Sequence, residues 1–476
     1  MKKIVKFTSL FLAASLSLCL CMAGCTDGKT PSGGGSSLPD YDAKKDELAV
    51  TIAGWIAPDT IGTEEQMQLV KDVGIDTLFL GAAGEGTYIP NVNSPTEGDR
   101  SVYTLMEEYG IRAYLNTGGN IGGFAQIGQY AEYSSVAGLS FDEPNKSEIG
   151  QIAAQVDAFN QSGEGKNFYV NLFPSFSTEV RNDFGVGGYR DYLRYYCDNV
   201  LEKLTVGEKW LSADRYPLTF DTNGEKALDV GWLQDVEAVA EVAREYENVK
   251  TNFFIQTMPY GGESLPAGVD GSRARVPSYE DIRLQEYALL AFGYDSISLF
   301  CYMTPAVGVE FTEEQFAMID RSGEPTQIYY DAQKANREVL AFDHVYLQFG
   351  WQGVFTNDGG TTTADGDRNK TQNSSFSNLL GRMDLAEVAF IDSVTTSEDT
   401  LFGYFMGGAD NEAVLAVNYN ETSLGLQDTV TLHFDPAYGY TKAQCYVGGK
   451  EVTYDLTENS LTFTLGAGEG VFVIPY

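Results

Sequence analysis

Residues 137–144 read Ala-Gly-Leu-Ser-Phe-Asp-Glu-Pro, a short apolar run that ends on two adjacent carboxylates and a proline. The run has the length of a buried strand, and the proline marks the point where a strand must stop. Two carboxylates are a poor choice for a protein core. In parallel barrels, chemistry lies at the carboxyl ends of the strands. The stretch therefore predicts a barrel strand that carries Asp142 and Glu143 at the barrel mouth.

The same alternation of short apolar strands and amphipathic helices extends on both sides, from about residue 48 to 349. It predicts strands at 49–56, 77–81, 112–116, 137–142, 168–173, 209–214, 252–257 and 296–301. Helical stretches follow at about 63–74, 97–109, 120–133, 146–161, 187–204, 230–247, 279–292 and 327–349. Eight strand–helix units favour a (β/α)8 TIM barrel over an open doubly wound sheet.

After residue 350 the pattern changes to short alternating segments separated by glycine-rich turns, which is typical of an antiparallel β-sandwich. The predicted strands are 400–407, 412–419, 428–434, 442–447, 451–455 and 460–475, and 356–376 is predicted to be a long loop. We therefore expect a signal peptide at 1–24, a flexible tether at 25–44, the barrel at 45–349 and the β-sandwich at 350–476.

The N-terminus has the form of a secretory signal: three lysines among the first six residues, then an apolar run over 4–20. The run closes on Met22-Ala23-Gly24-Cys25, which resembles the lipobox of bacterial lipoproteins. This resemblance implies lipidation at Cys25 and a lipid-anchored protein at the extracellular face of the bacterial membrane. The alternative is an ordinary cleaved signal.

Composition excludes several classes of function. The net charge of −36 argues against nucleic-acid and anionic-membrane partners, which require Lys and Arg. Only two histidines occur, His344 and His433, both beyond the predicted barrel strands, so a histidine-based triad in the barrel is impossible and a histidine-rich zinc site is implausible. There is also no glycine-rich phosphate loop. We expect neither cofactor nor metal, which leaves carboxylates, amides and tyrosines for the chemistry.

Polar and aromatic side chains recur at the other predicted strand ends. They are Trp55, Asn116, Asn171, Asp214 with Tyr216, Gln256 and Tyr302. Carboxylates, amides and aromatic rings are the groups that bind and cleave glycosides. Trp55 and Tyr302 would be sugar platforms or plain packing residues. Gln256 would be a ligand contact or a satisfied buried amide.

Glu143 is expected to be the general acid, because a carboxyl group near aromatic rings and beside another carboxylate has a raised pKa. The alternative is a helix-start acid that interacts with the helix dipole. Asp142 would orient Glu143 or stabilise developing positive charge, or else cap the loop. Asp214 would bind substrate hydroxyl groups, or else pair with Arg215.

The barrel resembles clan A glycoside hydrolases, in particular bacterial proteins related to the family 42 β-galactosidases. The resemblance lies in Phe-Asp-Glu-Pro at 141–144, Tyr-Val-Asn-Leu-Phe-Pro at 169–174, Ser-Ala-Asp-Arg-Tyr-Pro at 212–217 and Arg-Leu-Gln-Glu-Tyr at 283–287. The C-terminal part also looks like the small β-domain that follows such barrels. The resemblance implies a surface-anchored glycosidase that acts on an extracellular oligo- or polysaccharide, with Glu143 as general acid/base.

One departure concerns the nucleophile. Clan A enzymes carry the acid/base glutamate at the end of strand four and a glutamate nucleophile at the end of strand seven. Glu143 matches the first position, but Gln256 stands at the second and cannot act as a carboxylate nucleophile.

An Asp-Glu pair on strand four is also similar to that of N-acetylhexosaminidases of families 20 and 123. In those enzymes the acetamido group of the substrate attacks, the aspartate positions it and the glutamate protonates the leaving oxygen. Asp142 and Glu143 would suffice for that scheme. A third alternative is a glycan-binding lipoprotein whose degenerate barrel site does not cleave.

Overall fold

Eight parallel strands close into a barrel in a computed structural model that describes residues 38–476 apart from 82–85, 222, 260–273, 309–310, 364–375 and 409–410. The strands are β1 (Thr51–Trp55), β2 (Thr77–Leu80), β3 (Arg112–Asn116), β4 (Val136–Asp142), β5 (Asn167–Leu172), β6 (Lys209–Asp214), β9 (Val249–Gln256) and β10 (Ser296–Phe300). Each pairs with the next in this order, and β10 pairs with β1 to close the ring. The predicted (β/α)8 barrel is confirmed.

Helices on the outside of the barrel follow the predicted order. They are α1 (Glu64–Asp72), α2 (Glu97–Tyr109), α3 (Lys146–Ala153), α4 (Val156–Ser162), α5 (Thr178–Phe184), α6 (Tyr189–Asn199), α7 (Val230–Ala243), α8 (Tyr279–Ala291), α9 (Gln327–Leu340) and α10 (Asp343–Tyr346). Capping boxes begin α2 at Thr96, α3 at Asn145 and α8 at Ser278, where a side-chain oxygen accepts the orphan N–H three residues on.

The structure departs from the prediction in several connections. The helices predicted at 146–161 and 327–349 are each divided in two, into α3 and α4 and into α9 and α10. The amphipathic helix expected at 120–133 is a 3-10 helix, Ile121–Tyr130, whose three glycines and uncapped start do not support an α-helix. Two additional features stand at the mouth end of the barrel. One is α5, which precedes the main helix α6, and the other is a small hairpin of β7 (Leu218–Phe220) and β8 (Lys226–Leu228) after β6.

Aromatic rings fill the inside of the barrel. Phe79 stacks on Tyr114 with ring centroids 5.1 Å apart, and Tyr169 lies 4.7 Å from Tyr114. Trp210 and Phe254 belong to the same buried cluster. Because this layer is closely packed, it forms a floor, and polar groups at the strand ends above it face the mouth.

The C-terminal domain is an antiparallel β-sandwich-like domain, as predicted, and its described residues form eight strands where six segments were predicted. They are β11 (Phe349–Thr363), β12 (Ile391–Gly407), β13 (Glu412–Asn418), β14 (Asp428–Phe434), β15 (Lys442–Val447), β16 (Lys450–Asp455), β17 (Ser460–Leu465) and β18 (Gly470–Pro475). The strand order is β16-β15-β18-β13-β12-β14-β17, with β11 against β12.

The prediction of a loop over 356–376 is wrong in its first part, because β11 continues to Thr363. Asn357-Asp358-Gly359-Gly360 has the composition of a turn, but here it forms a bulge within the strand. The two glycines adopt φ of 77° and 81°, which lets the chain bulge and then resume pairing with β12. The segment 460–475 is a pair of strands, β17 and β18, because Gly466 to Glu469 turn the chain.

Helix α8 joins the two domains. Arg275, just before it, pairs with Asp281 on its first turn and with Glu421 of the C-terminal domain, 2.7 Å away. Thr422 also donates to Asp281. Among the described residues, no helix is both long and apolar enough to cross a membrane. Cys25 and the tether up to residue 37 lie outside the described residues.

Candidate active site

Asn171 joins two carboxylates from neighbouring strands. Its Nδ2 donates to Oδ1 of Asp142 and to Oδ1 of Asp214, each at 3.2 Å. If the bonds follow the two N–H directions of the amide, the carboxylate oxygens are about 5.5 Å apart. The ends of β4, β5 and β6 therefore bring together three of the residues predicted from the sequence.

A ladder of hydrogen bonds across the barrel fixes the orientation of the Asn171 amide. Ser212 Oγ donates to Asn171 Oδ1 at 2.9 Å, and Ser212 in turn accepts from Tyr169 OH at 2.7 Å and from Asn252 Nδ2 at 3.0 Å. Because Oδ1 is occupied by Ser212, Nδ2 must face the carboxylates. Ser212, Tyr169 and Asn252 were not among the site residues predicted from the sequence. The available signal was the two-residue alternation along each strand, which points the three side chains into the barrel.

Asp214 is a buried carboxyl group next to a second carboxylate. Burial and, after it, the negative charge of Asp142 raise its pKa to about 7, against hydrogen bonds from Asn171 and Tyr216 that lower it. Asp142 is exposed whereas Asp214 is buried. The pair is thus asymmetric: near neutrality Asp214 holds a proton for much of the time.

Glu143 stands at the same mouth. Its N–H donates to Asn171 O at 2.9 Å, and its φ of 48° lies in the left-handed region, which costs a residue with a Cβ about 1–2 kcal/mol. Burial raises the pKa of the Tyr192 and Tyr216 hydroxyls well above their usual range, and the charge of Glu143 raises both further. Backbone strain of this kind is concentrated at functional sites.

Tyr192 joins the loop that begins at Glu143 to the loop that follows Asn171. Its hydroxyl donates to Pro144 O at 2.7 Å and accepts from Phe173 N–H at 3.2 Å. The loop after β4 is thereby bonded to the loop after β5 through one buried side chain. This contact fixes the position of Glu143 relative to Asn171.

Three half-buried aromatic rings lie on top of this floor, at the mouth. Trp55 packs on Phe79 and Phe254, with ring centroids 5.4 Å and 5.6 Å away. Tyr216 stacks on Phe300 at 4.9 Å. Tyr302, predicted as a platform, is fully buried, so the structure favours its packing alternative. Phe300 provides the aromatic ring at this strand end instead. It is the last residue of β10, and its side chain lies on the same face of the strand as that of Ser298, which points into the barrel.

Two other predicted binding residues make local contacts. Asn116 is half-buried, and its Oδ1 accepts the Gly118 N–H at 2.8 Å, which closes a turn after β3. The Gln256 amide is fully buried: Oε1 accepts from Leu218 N–H at 3.1 Å, and Nε2 donates to the carbonyls of Met258 and Arg275 at 3.0 Å and 2.8 Å. The structure thus favours the satisfied-amide alternative for Gln256.

The Gln256→Glu variant is expected to be less stable by about 1–3 kcal/mol, because a carboxylate loses both donor bonds and faces two carbonyl oxygens. Thermal unfolding at pH 8 measures the effect. A smaller loss is expected at pH 5, where a protonated carboxyl regains one donor. Gln352→Glu is the matched control, since Gln352 bonds a carbonyl at the surface. Unchanged stability of Gln256→Glu at pH 8 would contradict this assignment.

Arg215 follows Asp214 but bonds elsewhere. Its Nε donates to Asp229 at 2.6 Å, and its Nη1 donates to Asp235 at 3.3 Å and to Ser175 Oγ at 3.0 Å. The alternative in which Asp214 serves mainly as the partner of Arg215 is therefore not favoured. Within the described ranges, no group of three or more His, Cys, Asp or Glu side chains is arranged to hold a metal ion.

A groove of about 600 Å³ lies between the first half of α3 and the length of α5, with Tyr195 of α6 at one wall. Its lining contains none of the carboxylates described above. The strand ends are the stronger candidate site, because the raised pKa of Asp214 and the backbone strain at Glu143 coincide there.

No protein-family model and no curated protein sequence matches the chain. Solved structures with a similar course of chain include an α-amylase from Geobacillus thermoleovorans, with 9% identity, a TM-score of 0.48 and coverage of 91% of this chain and 98% of that chain. A family 27 β-L-arabinopyranosidase from Geobacillus stearothermophilus has 9% identity, a TM-score of 0.45 and coverage of 90% and 96%. α-Galactosidase I from Mortierella vinacea has 10% identity and a TM-score of 0.44, and the match covers 90% of this chain and 98% of that chain. At these TM-scores the similarities carry no argument about activity, and the fold rests on the strand pairing itself.

Proposed function

We propose that the protein is a glycosidase whose reaction takes place over Asp142, Glu143 and Asp214. The observation that carries the proposal is the asymmetric carboxyl pair, in which one Asn171 nitrogen binds both aspartates and burial raises the pKa of Asp214 to about 7. Aromatic rings at the floor of the mouth suit the apolar faces of sugar rings. The resemblance to clan A glycoside hydrolases agrees with this assignment.

Each carboxyl group has a distinct role in the proposed reaction. Glu143 protonates the leaving oxygen. Asp142 is the anion of the pair, because the buried Asp214 keeps its proton more readily. Asp142 then either stabilises the positive charge at the anomeric carbon or holds the acetamido group of the substrate. Asn171 positions Asp142 through the hydrogen bond from its Nδ2, and Asp214 accepts the second hydrogen bond from the same nitrogen.

The spacing of the two aspartates restricts what they can do as a pair. An inverting acid and base need about 6.5–9.5 Å between their carboxyl groups so that a water molecule fits, whereas a retaining acid and nucleophile need about 5–5.5 Å. The bridging Asn171 nitrogen holds Asp142 and Asp214 close together, so a reaction with Asp214 as the acid and Asp142 as its partner would have the shorter spacing. With Glu143 as the acid, this distance does not choose between retention and inversion. With Gln256 bonded to backbone groups, the nucleophile is either a strand-end aspartate or the substrate's own acetamido group.

A panel of 4-nitrophenyl hexosides, pentosides and 2-acetamido hexosides tests the proposal. We expect release of nitrophenol from at least one of them by the purified protein. A thiazoline mimic of the cyclised intermediate separates the two nucleophiles: it should inhibit only if the acetamido group attacks. Turnover of a plain hexoside without thiazoline inhibition would assign the nucleophile to the protein. No turnover of any glycoside, together with binding to a polysaccharide, would favour the non-catalytic alternative.

We also propose that the chain is anchored through a lipid on Cys25 and acts on extracellular glycans. The support is the Met22-Ala23-Gly24-Cys25 run after an apolar segment. Mass spectrometry of the native protein is expected to find a lipidated N-terminal cysteine. An unmodified N-terminus that begins downstream of Cys25 would contradict the anchor without affecting the proposed chemistry.

A further inference from the structure

Phe176 is a large apolar side chain held at the surface beside the mouth. It is 41% exposed and lies in the loop after β5, five residues beyond Asn171. Full burial of a phenylalanine side chain is worth about 1.5–3 kcal/mol, so the chain forfeits part of that energy here. A single exposed apolar residue needs no explanation by itself. The support beneath the ring is what distinguishes this one.

Arg215 supports one face of the Phe176 ring. The guanidinium carbon lies 5.2 Å from the ring centroid, within the range of a cation–π contact. The guanidinium itself is held by Asp229 and Asp235. It therefore forms a fixed base, while the other face of the phenyl ring remains available to a ligand.

The guanidinium of Arg215 fits in this place because residue 231 is a glycine. A Cβ at Gly231, at the start of α7, would come within 2.1 Å of Arg215 Nη2. The first turn of α7 thus leaves the space that the guanidinium occupies beneath the ring. Arg215 is also the residue that follows Asp214, so its backbone is continuous with the strand end that carries the site.

The loop on both sides of Phe176 is held by hydrogen bonds. Ser175 N–H donates to Asp235 Oδ2 at 2.9 Å, and Ser175 Oγ accepts from Arg215. On the other side, Ser177 caps α5 by accepting the Glu179 N–H at 3.2 Å. An exposed ring on a fixed loop loses little conformational entropy when a ligand stacks on it.

We propose that Phe176 is a stacking platform for a sugar ring of a longer glycan, at a subsite next to the one over Asp142 and Asp214. This inference rests on the proposed function, because the neighbouring carboxylates are what identify the ligand as a sugar. It extends that function to the substrate class: the site takes a chain of at least two sugar units. A flat apolar face of the second ring lies on the phenyl face opposite Arg215.

Affinity electrophoresis of the full-length protein tests the platform without requiring turnover. The net charge of −36 drives the chain toward the anode, and a neutral polysaccharide in the gel retards it only by binding. The gels contain soluble xylan, galactomannan, mixed-linkage β-glucan or glycol chitin. The variants are Phe176→Ala, Phe176→Trp and the control Tyr330→Ala, which removes another exposed ring, 53% exposed, from the outer helix α9. Thermal unfolding identifies any variant that fails to fold.

At least one polysaccharide is expected to retard the wild type, and Phe176→Ala should bind it about tenfold more weakly. Phe176→Trp and Tyr330→Ala should bind like the wild type. Equal retardation of Phe176→Ala and the wild type, or no retardation of the wild type by any polysaccharide, would overturn the proposal. Failure to hydrolyse any aryl glycoside would instead contradict the proposed activity, and the gel result distinguishes the two failures.

Discussion

The Glu143→Gln variant is expected to hydrolyse a glycoside with a poor leaving group about 10²–10⁴-fold more slowly than the wild type. Glutamine keeps the shape of the side chain but removes the proton that the leaving oxygen needs. An activated aryl leaving group needs less protonation, so the loss on that substrate should be smaller. Steady-state kcat/KM on an aryl glycoside and on an alkyl glycoside of the same sugar measures the difference.

Glu164→Gln is the matched control for this variant. Glu164 is exposed and precedes β5, at the end of the barrel opposite the mouth, so its replacement should leave both rates unchanged. Equal modest losses on both substrates in Glu143→Gln would indicate a binding role for Glu143. If the dependence on the leaving group appeared in Asp214→Asn instead, the general acid would be Asp214.

Asp142→Asn is expected to slow hydrolysis by about 10²–10⁴-fold, because it removes the anion of the carboxyl pair. Asp214→Asn should have a much smaller effect, since asparagine resembles the protonated carboxyl that Asp214 carries near neutrality. The opposite order, with Asp214→Asn the inactive variant, would assign the anionic role to Asp214.

The pH dependence of kcat/KM gives an independent measure of the same pair. The pKa of Asp214 is raised to about 7 by burial and by Asp142, so the active protonated form is lost as pH rises through about 7. Activity of the wild type should therefore fall there. Asp142→Asn removes a negative charge and should move this fall to lower pH. Asp214→Asn should abolish it. Activity that rises through pH 7 would mean that ionised Asp214 is the reactive form.

The barrel could be predicted from the sequence because each strand is a short apolar run bounded by polar residues, and periodicity reports that directly. The strand with Asp142 at its end was predicted to within one residue of β4. The 3-10 helix at Ile121–Tyr130 and the bulge at Gly359-Gly360 were not predicted, because glycine supports several backbone conformations and the tertiary context selects among them.

The polar strand ends could also be predicted, but not which of them meet. Asn171 and Gln256 are both amides at strand ends, yet Asn171 bridges two carboxylates whereas Gln256 bonds backbone groups around Leu218 and Arg275. That difference depends on the hairpin after β6 and on the path of the chain before α8. Neither has a periodic signal. The raised pKa of Asp214 likewise depends on burial, which no short sequence pattern encodes.

The most direct test of the account is hydrolysis of the glycoside panel by the wild type and by Glu143→Gln, measured side by side at one enzyme concentration. The account predicts sugar release from at least one glycoside by the wild type, and a loss in Glu143→Gln that grows as the leaving group becomes poorer. No release by the wild type, or equal rates for the wild type and the variant, would contradict it.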